Sequence, residues 1–252
     1  MTNEQLTALG SNILTYCKKF NVPLDYLFEI LEDQKVTPMI RGKAMEYNMY
    51  LKLDSLLPRV TWSVQKLNLN AQTGTSDEDI SVTHRRTGVI LKVESKSTVR
   101  NSFHPGNSRT TIKVPHLKVK CHRSRSNKKL ESNDRYSVDA FDVIITNTTN
   151  SIYQGNTVGE NLEVVNDENF KTVLFGYYNV TSDEALIEAC ENDWRFAIPT
   201  DIAEDGFLPR TPLVLLENDP DWKPLEYLEE RLLTIIDEKH KNKLRTPKTR
   251  RS

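Results

Sequence analysis

The stretch DISVTHRRTGVILKVESKS, residues 79 to 97, reads as a β-hairpin, and its register decides what the rest of the chain is built around. In VILKVESK, residues 89 to 96, the side chains of Val89, Leu91, Val93 and Ser95 point one way, while those of Ile90, Lys92, Glu94 and Lys96 point the other. In DISVT, Ile80 and Val82 share one face, and Asp79, Ser81 and Thr83 the opposite one. Apolar matches apolar across the hairpin only if paired residue numbers sum to an odd value. A four-residue turn, RRTG at 85 to 88, makes that sum 173. Val82 then faces Leu91, Ile80 faces Val93, and Asp79 falls opposite Glu94. Opposed side chains in an antiparallel pair have Cβ atoms about 5 Å apart, where like charges destabilise. A divalent cation reverses the sign of that interaction: Mg²⁺ takes one or two carboxylates, keeps water and leaves room for phosphate oxygens. Lys96, two residues along the same face, is placed to hold a phosphate oxygen or orient a water. An acidic pair tipped toward solvent beside Lys92 and Lys96 is the plain alternative.

The charge distribution bears on that choice. The 252-residue chain has a formal net charge of -1, yet residues 85 to 129 hold thirteen bases against one acid, Glu94, a local charge of +12. Such a segment suits a polyanionic partner or a solvated basic surface, and the acidic pair stands at its front. Within it, Arg109, Arg123 and Arg125 are suited to guanine, Asn101 and Asn107 to adenine, and the lysines to backbone phosphate. The nucleic-acid candidates are thus Arg100, Asn101, His104, Asn107, Arg109, Lys113, Lys118, Lys120, Arg123 and Arg125.

Composition is that of an ordinary globular chain, 37% hydrophobic and 27% charged. The longest apolar runs are too short to span a bilayer, and MTNEQLTALG at the start has neither the basic nor the apolar region of a signal peptide. The expectation is a cytoplasmic protein without a membrane partner. Cys17, Cys121 and Cys190 are odd in number and widely spaced, as ordinary reduced thiols are. His116, Cys121 and His122 cluster without the second pair of ligands that a zinc site needs. No phosphate-cradling glycine loop occurs.

Around the hairpin, periodicity predicts a helix over 2–20 with Leu6, Leu9, Ile13 and Tyr16 at helical spacing, and Thr2 or Asn3 as its cap. A second helix fits 23–34. A third runs from about Pro38 to Leu57 with the core stripe Met45, Met49, Leu53 and Leu56. Strands are predicted at VTWSVQKL, in the hairpin, at TTIKVPHLKVK where Pro115 argues for an edge or bend, at the doubly buried VDAFDVIITN, and at KTVLFGYYNV and TPLVLLEN. TSDEALIEACEND reads as a helix with Thr181 as cap, LEYLEERLLTIIDEKH as a long amphipathic one. Helices, then strands, then a mixture predict an α/β (α+β) fold: a central mixed β-sheet flanked by helices. The expected organisation is a helical segment over 1–37, one domain over 38–240, and a flexible basic tail over 241–252.

Asp79, fourteen intervening residues and then Glu94-Ser95-Lys96 on the VILKVESK strand resembles the signature of the PD-(D/E)XK nuclease superfamily, in a setting like that of type II restriction endonucleases. RGKAMEYNMYLKL with Glu46 resembles the helix that precedes the metal-binding hairpin in that family, and VDAFDVIITN the core strand that follows E-x-K. The resemblance covers about residues 40 to 147. Glu78 stands where the family often has proline, so Asp77 and Glu78 compete with Asp79 as the metal ligand; the register favours Asp79. The resemblance implies a restriction-endonuclease-like core and Mg²⁺-dependent cleavage of double-stranded DNA at a short specific sequence. Asp79 and Glu94 would bind Mg²⁺, Lys96 would position the water, and Glu46 would be an accessory acid, though a surface helical glutamate is its bland reading. It further implies a homodimer and a cognate DNA methyltransferase. Another nuclease on the same core, for repair or a particular DNA structure, and a non-catalytic DNA-binding protein are the alternatives.

Overall fold

A computed structural model describes residues 1–66, 79–106, 112–122, 134–155 and 162–245. Three helices lead the chain: α1 (Asn3–Phe20), α2 (Leu27–Glu32) and α3 (Thr37–Leu56). The strands β1 (Trp62–Lys66), β2 (Ile80–His84), β3 (Val89–Ser95), β4 (His116–Lys118), β5 (Val143–Asn147), β6 (Tyr153–Gly155) and β7 (Leu162–Val164) follow. Then come α4 (Glu168–Tyr178), α5 (Asp183–Asn192), β8 (Trp194–Ala197), α6 (Pro199–Ile202), β9 (Leu213–Leu215), β10 (Lys223–Pro224) and α7 (Leu228–Arg245).

Six strands form the main sheet in the order β1-β2-β3-β5-β8-β10, mixed because β3 and β5 run parallel while the other neighbours are antiparallel. The hairpin has the predicted register, with Ile80 opposite Val93 and Val82 opposite Leu91. Its turn closes as Gly88 N donates to the His84 carbonyl at 2.8 Å, with Gly88 at φ 66°, a conformation glycine adopts without strain. β5 lies between β3 and β8 with Val143, Ile144 and Ile145 fully buried, which its continuous apolar run anticipates.

Two apolar layers sandwich the sheet. On one face α3 (Met49, Leu53) and α7 (Leu228, Leu232, Ile235, Ile236) pack on Ile80, Val82, Leu91, Val93 and Phe196. On the other, Phe170 and Leu174 of α4, Leu186 and Cys190 of α5, and the small β4-β9 sheet pack around Ile144 and Ala197. The fold is α+β, a mixed sheet flanked by helices, as predicted. Among the described residues no helix is long and apolar enough to cross a membrane.

Local differences have local causes. KTVLFGYYNV is not a strand but most of α4: Asp167 caps it by accepting from Phe170 N at 2.8 Å, Phe170 and Leu174 make an i, i+4 buried pair, and Asn179 ends it in the left-handed conformation. The aromatic and β-branched residues that suggest a strand are instead spread around a helix whose buried side is set by Phe170 and Leu174. Ser182 rather than Thr181 caps α5, accepting from Ala185 N at 3.2 Å. Among the described residues of TTIKVPHLKVK only His116–Lys118 forms a strand, and it pairs with β9 outside the main sheet. Helix α7 runs to Arg245, so the first residues of the expected tail are helical. The three cysteines are free and buried.

Candidate active site

Each side chain of the site arrives by a different route. On α3, Glu46 precedes the fully buried Met49 and Leu53 by three and seven residues, which puts it on the stripe that faces the sheet. It is therefore not a surface glutamate: the residue is 9% exposed. Lys43 Nζ donates to both of its carboxylate oxygens at 2.7 and 2.8 Å, and Lys66, from the end of β1, reaches the second oxygen.

Asp79 stands one residue before β2, where the hairpin register continued past Ile80–Val93 brings it to the Glu94 end of β3. Its Oδ2 accepts from Ser95 N at 2.9 Å and from Ser95 Oγ at 2.8 Å. Even so its pKa is raised: burial and the nearby Glu46 charge outweigh the two Ser95 hydrogen bonds and the attraction of Lys96.

Glu94 and Lys96 occupy the same face of the strand and are both buried. Lys96 Nζ donates to Glu94 Oε1 at 2.6 Å and to Tyr136 Oη at 3.1 Å, and stands 4.3 Å from the Tyr136 ring centre and 5.7 Å from that of Phe141. Burial works against the ammonium charge, but Glu94 and Tyr136 more than compensate, and the Lys96 pKa is raised. The backbone of Lys96 is pinned to β5, its N–H donating to the Ile145 carbonyl at 2.9 Å and its carbonyl accepting from Thr146 Oγ1 at 2.6 Å. Asp142 secures the start of β5: its Oδ2 accepts from Lys92 N and its Oδ1 pairs with Lys239 of α7 at 2.6 Å.

The three acids share one electrostatic neighbourhood. Burial opposes the charge on Lys43, yet its hydrogen bond to Glu46 and the fields of Glu46, Asp79 and Glu94 together raise its pKa. Three carboxylates and three lysines, Lys43, Lys66 and Lys96, thus converge where α3, β1, β2 and β3 meet. Glu46, Asp79, Glu94 and Lys96 are the residues the sequence singles out. Lys43, Lys66, Tyr136 and Phe141 are not, because no local pattern links them to the hairpin; only the i, i+3 spacing of Lys43 and Glu46 hints at one pair.

Among the described residues no group of three His, Cys, Asp or Glu side chains is set to hold a metal ion. This includes His116, Cys121 and His122. Mg²⁺ needs fewer protein ligands than that, since water completes its shell. Asp79 is a carboxylate that burial and Glu46 both penalise, a cost that a cation would relieve.

The chain after Lys96 folds back beside the site. Val99 N donates to the Lys118 carbonyl and Lys120 N to the Ser97 carbonyl, so β4 and its continuation run alongside Ser97–Val99. Buried Leu117, Val119 and Cys121 alternate there with exposed Lys118 and Lys120. Lys113 and Asn101 are exposed and Arg100 half-buried; Asn101 is in the left-handed conformation and donates its N–H to the Tyr153 carbonyl. His104 stacks on His116 with ring centres 5.1 Å apart, and its Nδ1 accepts from Gly106 N. Asn107, Arg109, Arg123 and Arg125, with Asp77 and Glu78, lie outside the described residues. A cleft of about 680 Å³ adjoins the carboxylates rather than containing them, between α3, the chain following β3 at Ser97 and the end of β5 at Asn147.

No protein-family model matches the chain, and no curated protein matches it. Among solved structures, the bacterial homing endonuclease I-Ssp6803I is matched at 17% identity, over 43% of this chain and 60% of that one, with a TM-score of 0.27. The match spans less than two thirds of that enzyme, and a TM-score this low carries neither its fold nor its activity over to this chain.

Proposed function

We propose that the chain is a Mg²⁺-dependent nuclease of the PD-(D/E)XK kind, acting as a type II restriction endonuclease on double-stranded DNA. The observation that carries this reading is the convergence of Glu46, Asp79, Glu94 and Lys96, from α3 and the hairpin, on one patch beside the basic segment, with Asp79 half-buried and the other three buried. A folded chain gains little from gathering three acids in a low-dielectric place unless they hold something.

In this reading Asp79 and Glu94 hold Mg²⁺. When bound, the ion would take up charge on the phosphate and make hydroxide available near neutral pH. Lys96, restrained by Glu94 and Tyr136, is a cation at a fixed place, suited to a phosphate oxygen or to the attacking water. Glu46, with Lys43 and Lys66 on its two oxygens, sets the field felt by Asp79. Lys118 and Lys120, exposed on the strand that runs past Ser97, supply phosphate contacts that place the duplex. Such an enzyme requires a methyltransferase that protects the same sequence in its own cell.

One observation favours a second reading. Glu94 and Glu46 already hold lysines, and Asp79 holds Ser95, as a structural ion network in a DNA-binding protein would. Incubation with unmethylated phage DNA at low salt, with Mg²⁺ or with EDTA, beside Lys96→Ala, separates the two. Discrete fragments that need Mg²⁺ and vanish in the variant support the restriction enzyme. A smear indicates a non-specific or structure-directed nuclease, and intact DNA that shifts on a gel refutes cleavage altogether.

A further inference from the structure

Helix α1 is finished at both ends and uncovered along its length. Thr2 Oγ1 accepts from Gln5 N while Thr2 N donates to Gln5 Oε1, and Asn21 closes the far end in the left-handed conformation. Of its eighteen residues only Cys17 is buried. The apolar residues Leu6, Leu9, Ile13, Tyr16 and Phe20 recur at alternating steps of three and four, the seam of a helix built to lie along another helix. Leu6, Leu9, Tyr16 and Phe20 are 52, 48, 54 and 56% exposed, and nothing among the described residues covers them. Tyr16 and Phe20 already pack on each other, with ring centres 4.8 Å apart. An isolated helix of this length is marginal in water, so a seam of this kind calls for a partner.

We propose that α1 is a self-association surface on which α1 of a second copy of this chain lies antiparallel. Charge decides both occupant and direction. The only charged residues of α1 are Glu4 at its start and Lys18 and Lys19 at its end. Parallel pairing sets like charges side by side. Antiparallel pairing about a two-fold axis at Ile13 puts Leu6 against Phe20 of the other copy and brings Glu4 within a turn of that copy's Lys18 and Lys19, twice over. The same register sets Tyr16 over Gly10, where open space surrounds the missing side chain. A glycine within a helix costs about 1 kcal/mol against alanine, and a notch for a ring gives it a purpose.

The seam exposes roughly 400 Å² per copy, about half of what a standard interface buries per partner. An interface of that size suits a reversible dimer. The inference does not rest on the nuclease reading.

The test is sedimentation velocity of the full chain from about 1 to 100 µM, with circular dichroism to verify folding. The wild type is expected to pass from one chain to two across that range, and Leu9→Glu with Ile13→Glu to stay a single chain. Glu4→Lys alone and Lys18→Glu with Lys19→Glu are each expected to weaken association on the order of tenfold, and their mixture to restore it. A wild type that stays monomeric at 100 µM overturns the proposal and leaves the seam to a different protein. A dimer indifferent to Leu9→Glu with Ile13→Glu overturns it in favour of an interface elsewhere, and one indifferent to Glu4→Lys overturns the antiparallel direction.

Discussion

Replacing Lys96 with methionine removes an ammonium group and keeps most of the side chain's volume. Nζ lies 2.6 Å from Glu94 Oε1 and 3.1 Å from Tyr136 Oη, and the lysine and glutamate side chains are 10% and 7% exposed. At that burial the loss is not that of a surface ion pair, worth about 0 to 1 kcal/mol. A carboxylate left in the interior without its cation costs about 3 to 5 kcal/mol, which for a chain of this size lowers Tm on the order of 10 °C. Adding Glu94→Leu removes the stranded charge, so the double variant recovers most of the loss. Thermal melts and urea titrations of wild type, both single variants and the double variant measure the whole cycle. Calcium adds a further arm: with the ammonium gone, Lys96 no longer competes for Glu94 with a divalent ion. If the ion binds with Kd about 1 mM, 10 mM Ca²⁺ stabilises Lys96→Met by about 1.4 kcal/mol, and the double variant gains less. A Lys96→Met cost below about 1 kcal/mol refutes the buried pair, and with it the idea that Lys96 is held as a fixed cation.

Burial pushes the Cys121 and Cys190 thiols up to about 12 from an ordinary 9.0, so neither reacts with a disulfide reagent at pH 8 until urea unfolds the chain. Above pH 9 the unfolded chain releases thiol protons that the folded chain keeps, so these groups make stability fall as pH rises from about 9 towards 12, measured as the urea midpoint. Gly106 sits at φ 74° with the Lys113 backbone carbonyl where a Cβ would be; Gly106→Ala therefore loosens its packing against Lys113, read as faster proteolytic cutting near Gly106 and Lys113 at an otherwise small change in Tm. If DNA is the partner, Lys118→Ala and Lys120→Ala each reduce the slope of log affinity against log salt by about 1, from a starting value on the order of -5 for roughly six phosphates; an unchanged slope removes these lysines from the contact.

The hairpin was open to reading because three independent constraints agreed on it: period-two alternation on both strands, a turn of four residues containing glycine, and a demand that apolar faces match. β5 was open to reading because a short continuous apolar run has few other places to go. KTVLFGYYNV misled for the converse reason, since ten residues rich in Val, Phe and Tyr satisfy a strand or one side of a helix, and the Asp167 cap that decides lies outside the run. β8 carries little signal in the sequence because Trp194–Ala197 is four residues long and closely follows a helix. In the site, the acids and Lys96 follow from strand spacing, whereas Tyr136 reaches Lys96 across forty positions and Lys66 reaches Glu46 across twenty. Such contacts depend on tertiary packing, and no periodicity within one element encodes them.

Among the described strands only β3 and β5 pair in parallel, and the chain between Ser95 and Val143 has to be spanned before that pair can close. The β2-β3 hairpin, by contrast, closes over four residues. Local closure precedes distant closure in folding because the chain entropy lost grows with the span. During refolding the hairpin that carries Glu94 and Lys96 therefore forms with both side chains still in water. Tyr136 and Phe141 arrive with β5, and the two charges are dehydrated together, already in contact. The order in which the chain closes thus spares it an intermediate in which either ion is buried alone.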